Sequence, residues 1–261
     1  MTEWLKRAVF YQIYPQSFFD SNDDGIGDLN GIRAKLDYIQ LLGVNALWIN
    51  PCFKSPFKDA GYDISDYYRI APRYGSKKDL IRLIREVHQR DIRIFLDLVP
   101  GHTSDQHPWF KASARPEINP FTDRYIWTRN PWISSDGDLK FITGTSDRMG
   151  AYAVNFFSHQ PALNYGFAKP EKDYQQGLDH PGPRATRQEL KKIMKFWLDL
   201  GVDGFRVDMA YSLIKKDPEA LANRQMWLEI RQWMDTLYSD RILISEWGQA
   251  SSWWFTRWQE V

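Results

Sequence analysis

Five short apolar runs, Val9 to Tyr14, Ala46 to Asn50, Arg93 to Val99, Gly204 to Asp208 and Ile242 to Ser245, are separated by stretches whose apolar residues recur at helical spacing. Strands that alternate with helices fold most readily as βαβ units around a parallel sheet, so the chain is expected to be α/β. The intervening helices carry readable signals. After Asp28 and Asn30, either of which can cap, Leu29, Ile32, Leu36 and Ile39 share one face, and Gly43 is placed to end that helix. Ser76 and Asp79 form a capping-box pattern ahead of Leu80, Leu83, Ile84 and Val87. A third stripe, Leu190, Ile193, Met194, Trp197 and Leu198, closes at Gly201. Pro218 is expected to begin the first turn of a helix carrying Met226, Ile230 and Trp233.

One connection breaks this rhythm. From about Thr103 to Arg184 the chain is rich in Pro, Gly, Asp and aromatic residues without sustained periodicity, and it far exceeds the ~12 to 15 residues of an ordinary loop. It is expected to be an inserted subdomain after the third strand, dividing the chain into 1–102, 103–184 and 185–261. In a (β/α) barrel an insertion there overhangs the carboxyl ends of the strands and can wall a pocket.

At 261 residues, with 43% apolar and 26% charged residues, the chain can bury a large core as one domain or as a scaffold with an insertion. Its 34 Lys and Arg nearly cancel its 33 Asp and Glu. No strong field draws it to nucleic acid, an anionic membrane or acidic substrates, and a neutral ligand fits better. The start at Met1 lacks the apolar segment of a signal peptide, and no apolar run reaches spanning length, so a cytoplasmic location is expected. Cys52, the single cysteine, excludes an internal disulfide and a cysteine-cluster zinc site and reads as a small packed residue. Aromatic residues make up 15%, with 12 Trp, and flat rings suit the C–H faces of sugars as well as a core.

Four constellations carry chemistry. Asp20, Asn22, Asp24 and Asp28, with the Ile26 carbonyl, place oxygens at alternate positions around glycines, as loops that wrap calcium or magnesium do; the same residues could form a polar turn that caps the next helix. Asp97 and His102 emerge at the end of the third strand. Arg206 and Asp208, two apart on a strand, point to one side, where the guanidinium would keep the carboxylate ionised or form a plain salt bridge. Glu246 ends an apolar strand beside Trp247, and an apolar wall would help it retain a proton. Two carboxylates on neighbouring strand ends could sit the ~5 to 5.5 Å apart that a retaining glycosidase requires.

In their order, Val9-Phe-Tyr-Gln-Ile-Tyr-Pro15, Asp20 to Asp28, Gly61-Tyr62-Asp63, Asp97 to His102, Gly204 to Asp208 and Glu246 resemble the α-amylase family of glycoside hydrolases, family 13. The amino-terminal stretch and the Asp20 to Asp28 loop look most like the oligo-1,6-glucosidase and trehalose-synthase branch. The resemblance implies a (β/α)8 TIM-type barrel, here its first five βα units, with the inserted subdomain after strand 3. It implies a retaining α-glycosidase or transglycosylase acting on short α-linked oligosaccharides, with Asp208 as nucleophile and Glu246 as general acid/base. Arg206 would hold Asp208, His102 would bond the sugar of the first subsite, Tyr62 would stack beneath it, and Asp59 would bind hydroxyls of the terminal glucose. Phe156 or Phe157 would line the same pocket, Asp97 would support it, and calcium, or magnesium in its place, would occupy the Asp20 to Asp28 loop.

The departures from the family are specific. Gly101 stands where the family usually has Asn before the histidine, which weakens the expectation of the calcium site that this Asn serves in the inserted subdomain. Ala162 replaces Asp in the branch signature Gln-Pro-Asp-Leu-Asn, and Met209 follows Asp208 where Val or Thr tends to accompany linkage preference, so the linkage is not specified. The family's third carboxylate, in a His-Asp pair at the seventh strand, and its last three βα units have no counterpart; Ser251 to Val261 suffice only to begin a helix. The chain is therefore expected to be the front part of a longer protein, and residues 1–261 alone to turn over little or nothing. A non-catalytic relative that binds sugar or supports a partner is the competing class, against which the presence of Asp208 and Glu246 speaks.

Overall fold

The strands, in the computed structural model of the protein, are β1 (Phe10–Ile13), β2 (Ala46–Ile49), β3 (Phe53–Lys54), β4 (Asp66–Ile70), β5 (Arg93–Leu98), β6 (Ser135–Asp136), β7 (Leu139–Thr143), β8 (Ala151–Val154), β9 (Gly204–Val207) and β10 (Ile242–Ser245). The structure describes residues 3–247, and the helix expected from Ser251 onward lies outside them. The five strands expected from the sequence are β1, β2, β5, β9 and β10, and they form one parallel sheet in that order. Each strand lies beside the next one of the series, as in part of a TIM-type barrel. Residues Ile94 to Leu98 of β5 are all buried, as befits a parallel sheet covered on both faces.

Gly204 shows how tightly β9 is held. Its φ is +155°, and an added Cβ would lie 2.0 Å from the Ile242 carbonyl oxygen and 2.7 Å from the Phe95 ring, so only glycine fits at the start of this strand.

The helices are α1 (Pro15–Phe18), α2 (Leu29–Ala34), α3 (Leu36–Leu41), α4 (Lys77–His88), α5 (Pro108–Ser113), α6 (Pro181–Asp199) and α7 (Leu221–Leu237). The stripes read from the sequence are the buried faces of α4 and α6, and the Ser76 and Asp79 capping box forms at α4. Burying one such side chain stabilises the fold by about 1.5 to 3 kcal/mol, so these stripes outweigh any single cap.

Two expectations change. The helix after Asp28 is two helices, because the backbone of Lys35 leaves helical geometry at φ −105°, ψ 11°, although Leu29, Ile32, Leu36 and Ile39 remain buried. Asp28, not Asn30, caps α2, accepting the Gly31 N–H at 2.7 Å. Pro218 lies in the turn before α7 rather than in its first turn. The chain first passes through left-handed Lys216 and Ala220, and the Asp217 carboxylate takes the Asn223 N–H at 2.8 Å to start the helix at Leu221.

The long segment after β5 holds α5 and the antiparallel sheet β6-β7-β8, and α6 begins at Pro181, a few residues before the segment was expected to end. Strand alternation serves two cores here. Tyr125, Trp127, Tyr152 and Val154 join the main core, whereas Ile126, Phe141, Ala151 and Ala153 form a small second one. No helix among the described residues is long and apolar enough to cross a membrane.

Candidate active site

The strand registers align Gln12 with Trp48, Asp97 with Arg206, and Arg206 with Ile244, so these side chains project to one side of the sheet. Tyr14, Asn50, Asp208 and Glu246 follow two residues after members of this set and continue the same side past the strand ends. At that edge one guanidinium meets three carboxylates. Arg206 Nη1 lies 2.9 Å from Asp97 Oδ1 and 2.9 Å from Asp208 Oδ1, and Nη2 lies 2.8 Å from Glu246 Oε2. The planar fork of arginine allows this, since two of its nitrogens can engage different partners at fixed angles.

The sharing has an electrostatic consequence. Burial pushes the Asp208 carboxyl above the ordinary carboxylate range, and the charges of Asp97 and Glu246 push the same way while Arg206 pulls back. Arg206 alone therefore does not hold Asp208 firmly ionised, contrary to the expectation from their spacing: its one positive charge is divided among three acids. Burial likewise raises Asp97 to about 6 against the pull of Arg206, Trp48 and Tyr62. Glu246 Oε2, besides pairing with Arg206, accepts the Met209 N–H at 3.1 Å, and Trp247 packs on Tyr211. Met209 holds the left-handed conformation at φ +46°, unusual for a side chain of its size, immediately after Asp208.

A chain of donors fixes Asp97. Gln12 Nε2 donates to Asn50 Oδ1 (2.9 Å), Asn50 Nδ2 donates to the Tyr62 hydroxyl (3.0 Å), and Tyr62 donates to Asp97 Oδ2 (3.1 Å), which also accepts from Trp48 Nε1 (3.0 Å). Tyr62 thus reaches the acid cluster through its hydroxyl, and the hydroxyl of Tyr14 is raised by burial and by the charges of Asp59 and Asp97. The loop that delivers Asp59 and Tyr62 is organised by buried Asp63, which accepts from the Ser55 hydroxyl and from the N–H groups of Lys58 and Asp59. Asp59 itself is gripped by buried Gln160, whose Nε2 donates to it at 2.6 Å.

His102, 1% exposed, is pulled down to about 3 by burial and is therefore neutral. Phe156 packs edge-on to its ring at 5.9 Å, whereas Phe157 stacks on His159, which separates the two candidates. Cys52 is buried and its thiol is pushed up to about 12, so it is a packing residue and no nucleophile.

Asp20, Asn22, Asp24 and Asp28 lie on one turn, but their oxygens serve its backbone. Asp20 accepts from the N–H groups of Asn22, Asp23 and Gly25, Asp24 from Ile26, and Asp28 from Ser21 and Gly31. Hydrogen bonds from Asn22 and Gly25 hold the Asp20 carboxyl below its ordinary range. The donors are all oxygens, the type a hard cation takes. Among the described residues no group of three or more His, Cys, Asp or Glu side chains is drawn together as a metal site.

Gln12, Trp48, Asn50 and Asn155 were not singled out from the sequence, and Gln160 only as the first residue of the branch signature. Gln12 and Asn50 carried a usable signal, a polar side chain near the carboxyl end of an apolar strand with the same parity as the acids. Asn155 lies in the aperiodic segment, where no such signal exists.

The sequence profile described as alpha amylase, catalytic domain, matches residues 12–261. The chain is 39% identical to a trehalose synthase/amylase of Mycolicibacterium smegmatis over 95% of its length and 41% of the relative's. It is 44% identical to an oligo-1,6-glucosidase of Parageobacillus thermoglucosidasius over 83% of its length and 36% of the relative's. Among solved structures, a mutant of the trehalulose synthase MutB, from Pseudomonas mesoacidophila MX-45, in complex with its substrate sucrose aligns with a TM-score of 0.80 at 33% identity, covering 96% of this chain and 46% of that one. The chain spans less than half the length of each of these relatives.

Proposed function

Because the chain belongs to the α-amylase family of glycoside hydrolases, we propose that its strand-end carboxylates cleave or transfer α-glucosidic bonds of short oligosaccharides with retention at the anomeric carbon. The observation that carries this reading is the single Arg206 guanidinium bridging Asp97, Asp208 and Glu246 at the ends of three adjacent strands. The relatives named for trehalose synthesis and oligo-1,6-glucoside cleavage, and the sucrose complex, support an α-glucosyl substrate.

In this mechanism Asp208 attacks the anomeric carbon while Glu246 gives its proton to the departing glycosidic oxygen, leaving a glucosyl ester on Asp208. Glu246, now ionised, takes a proton from water or from a second sugar hydroxyl, and the new oxygen displaces Asp208. Hydrolysis and transfer differ only in which acceptor enters. Arg206 sets the positions of both acids, and Asp97, locked by Trp48 and Tyr62, buttresses Arg206. Asp59, Tyr62, His102 and Phe156 form the sugar subsite in this reading. A calcium ion held by Asp20, Asn22, Asp24, Asp28 and the Ile26 carbonyl would cross-link the loop and supply no chemistry to the reacting atoms.

The test is to offer the full-length protein maltose, isomaltose, sucrose and trehalose, and to follow released glucose and transfer products. Turnover of at least one, with the α-anomer formed first and a fluorinated glucosyl donor trapped on the peptide containing Asp208, is expected. No turnover and no adduct on any of the four would refute the proposal.

A further inference from the structure

His102 is the one proposed sugar contact whose hydrogen-bonding sense depends on a choice of tautomer, and its neighbours make that choice. Lys215 Nζ lies 2.6 Å from the Ser212 carbonyl oxygen and 3.4 Å from Asn155 Oδ1. Burial lowers its ammonium only to about 8, so it remains a donor at neutral pH and has nothing to accept with. The Asn155 amide must therefore turn its oxygen to Lys215, because the flipped amide would set N–H against ammonium. Its Nδ2 then faces His102 Nδ1 at 3.1 Å. An amide nitrogen can only donate, so Nδ1 must accept, and a neutral imidazole that accepts at Nδ1 carries its proton on Nε2.

We infer that Asn155, oriented by Lys215, is a positioning residue that fixes His102 as its Nε2–H tautomer and so presents the ring to the sugar as a hydrogen-bond donor. The inference rests on the proposed sugar subsite for its use, but the tautomer itself follows from the contacts. His102 Nε2 is buried and finds no hydrogen-bond partner among the described residues. A buried donor left in that state is costly, which gives a sugar hydroxyl reaching it a gain to supply.

Gly101 completes the arrangement. A Cβ added there would lie 2.6 Å from Asn155 Nδ2, so any larger residue would push the amide away from His102. In this chain an asparagine entering from the segment beside β8 occupies the space that a side chain at position 101 would fill, and its backbone N–H is anchored on the Gln160 carbonyl at 3.2 Å.

Long-range nitrogen–proton spectra of the full-length protein labelled with 15N-histidine read the tautomer directly, independently of turnover. The wild type is expected to show His102 protonated at Nε2. In Asn155→Asp the carboxylate can still pair with Lys215 but can only accept from the ring, so the proton should move to Nδ1. KM for the preferred α-glucoside should then rise about tenfold with kcat changed much less, as expected when a ground-state contact is lost. Gly101→Ala, which leaves Asn155 in place but displaces its amide, should give a mixture of tautomers and covers the case in which Asn155→Asp does not fold. A wild-type Nδ1–H ring, or an Nε2–H ring retained in Asn155→Asp or Gly101→Ala, overturns the inference. An Nε2–H ring in a protein that turns over no α-glucoside upholds it while removing the proposed function.

Discussion

Arg206 and Glu246 meet across neighbouring strands at 2.8 Å, with the other terminal nitrogen of the same guanidinium committed to Asp97 and Asp208. Lysine at this position would carry the charge but not the fork, and one ammonium cannot hold acids on both sides in fixed orientation. Arg206→Lys is expected to keep its far-UV circular dichroism and to lose on the order of 10²-fold in kcat/KM or more, the scale of small misplacements of reacting groups. A variant within threefold of wild type would show that the shared guanidinium does not set the catalytic geometry.

Asp97 is an acid whose charge the fold tolerates poorly. Its carboxyl is raised from 3.8 to about 6 in the folded protein, so the stabilising contribution of the protonated form is fully present below its unfolded value and is lost as pH rises through about 6. Asp97→Asn keeps the shape and one of the two acceptor oxygens and removes the charge. Its melting temperature should exceed that of wild type at pH 7.5, by an amount corresponding to on the order of 1 to 2 kcal/mol, and should converge on wild type below about pH 4. Equal or lower stability at pH 7.5 would mean that the pairing with Arg206 outweighs the cost of burial.

The same crowding bears on activity. Burial, Asp97 and Glu246 together raise Asp208 against the pull of Arg206, and a nucleophile must be ionised. The acid limb of kcat/KM, which reports the free enzyme, is therefore expected to fall with a midpoint clearly above the ~4 of an ordinary aspartate. That midpoint belongs to the coupled cluster rather than to one residue. A limb at or below pH 4 would show that Arg206 dominates after all.

The parity of the strands explains why so much of this site could be read from residues alone. Asp97, Arg206, Asp208 and Glu246 lie on apolar runs whose period fixes their direction, and parallel registers then bring them together without further information. The ionisation of Asp208 was not readable, because it depends on burial and on how many acids share Arg206 across strands far apart in sequence. Asn155 was hidden for a similar reason: it acts on His102 over a separation of 53 residues from a segment with no period. At Lys35 nothing local marks the break between α2 and α3, since lysine is a good helix former and the apolar stripe runs through it.

The Asp20 to Asp28 loop separates two roles that one residue can distinguish. Asp24 accepts the Ile26 N–H through Oδ1 at 2.8 Å and the Asn22 side-chain N–H through Oδ2 at 3.1 Å. Asparagine there would keep the first of these bonds while removing a charge from a loop that also carries Asp20, Asp23 and Asp28. If the loop serves only as a turn, Asp24→Asn should be neutral or slightly stabilising with or without divalent cations. If it holds calcium, the wild type should melt several degrees higher in millimolar calcium than in chelator: saturation at about 100 times Kd contributes about 2.7 kcal/mol, and about 2 to 4 °C follows from each kcal/mol for a chain of this size. Asp24→Asn should lose most of that increment while melting near wild type in chelator, because only the cation, not the turn, depends on the missing charge. The calcium reading predicts this second pattern; identical wild-type melting in calcium and chelator would leave Asp20 to Asp28 as a helix-capping turn.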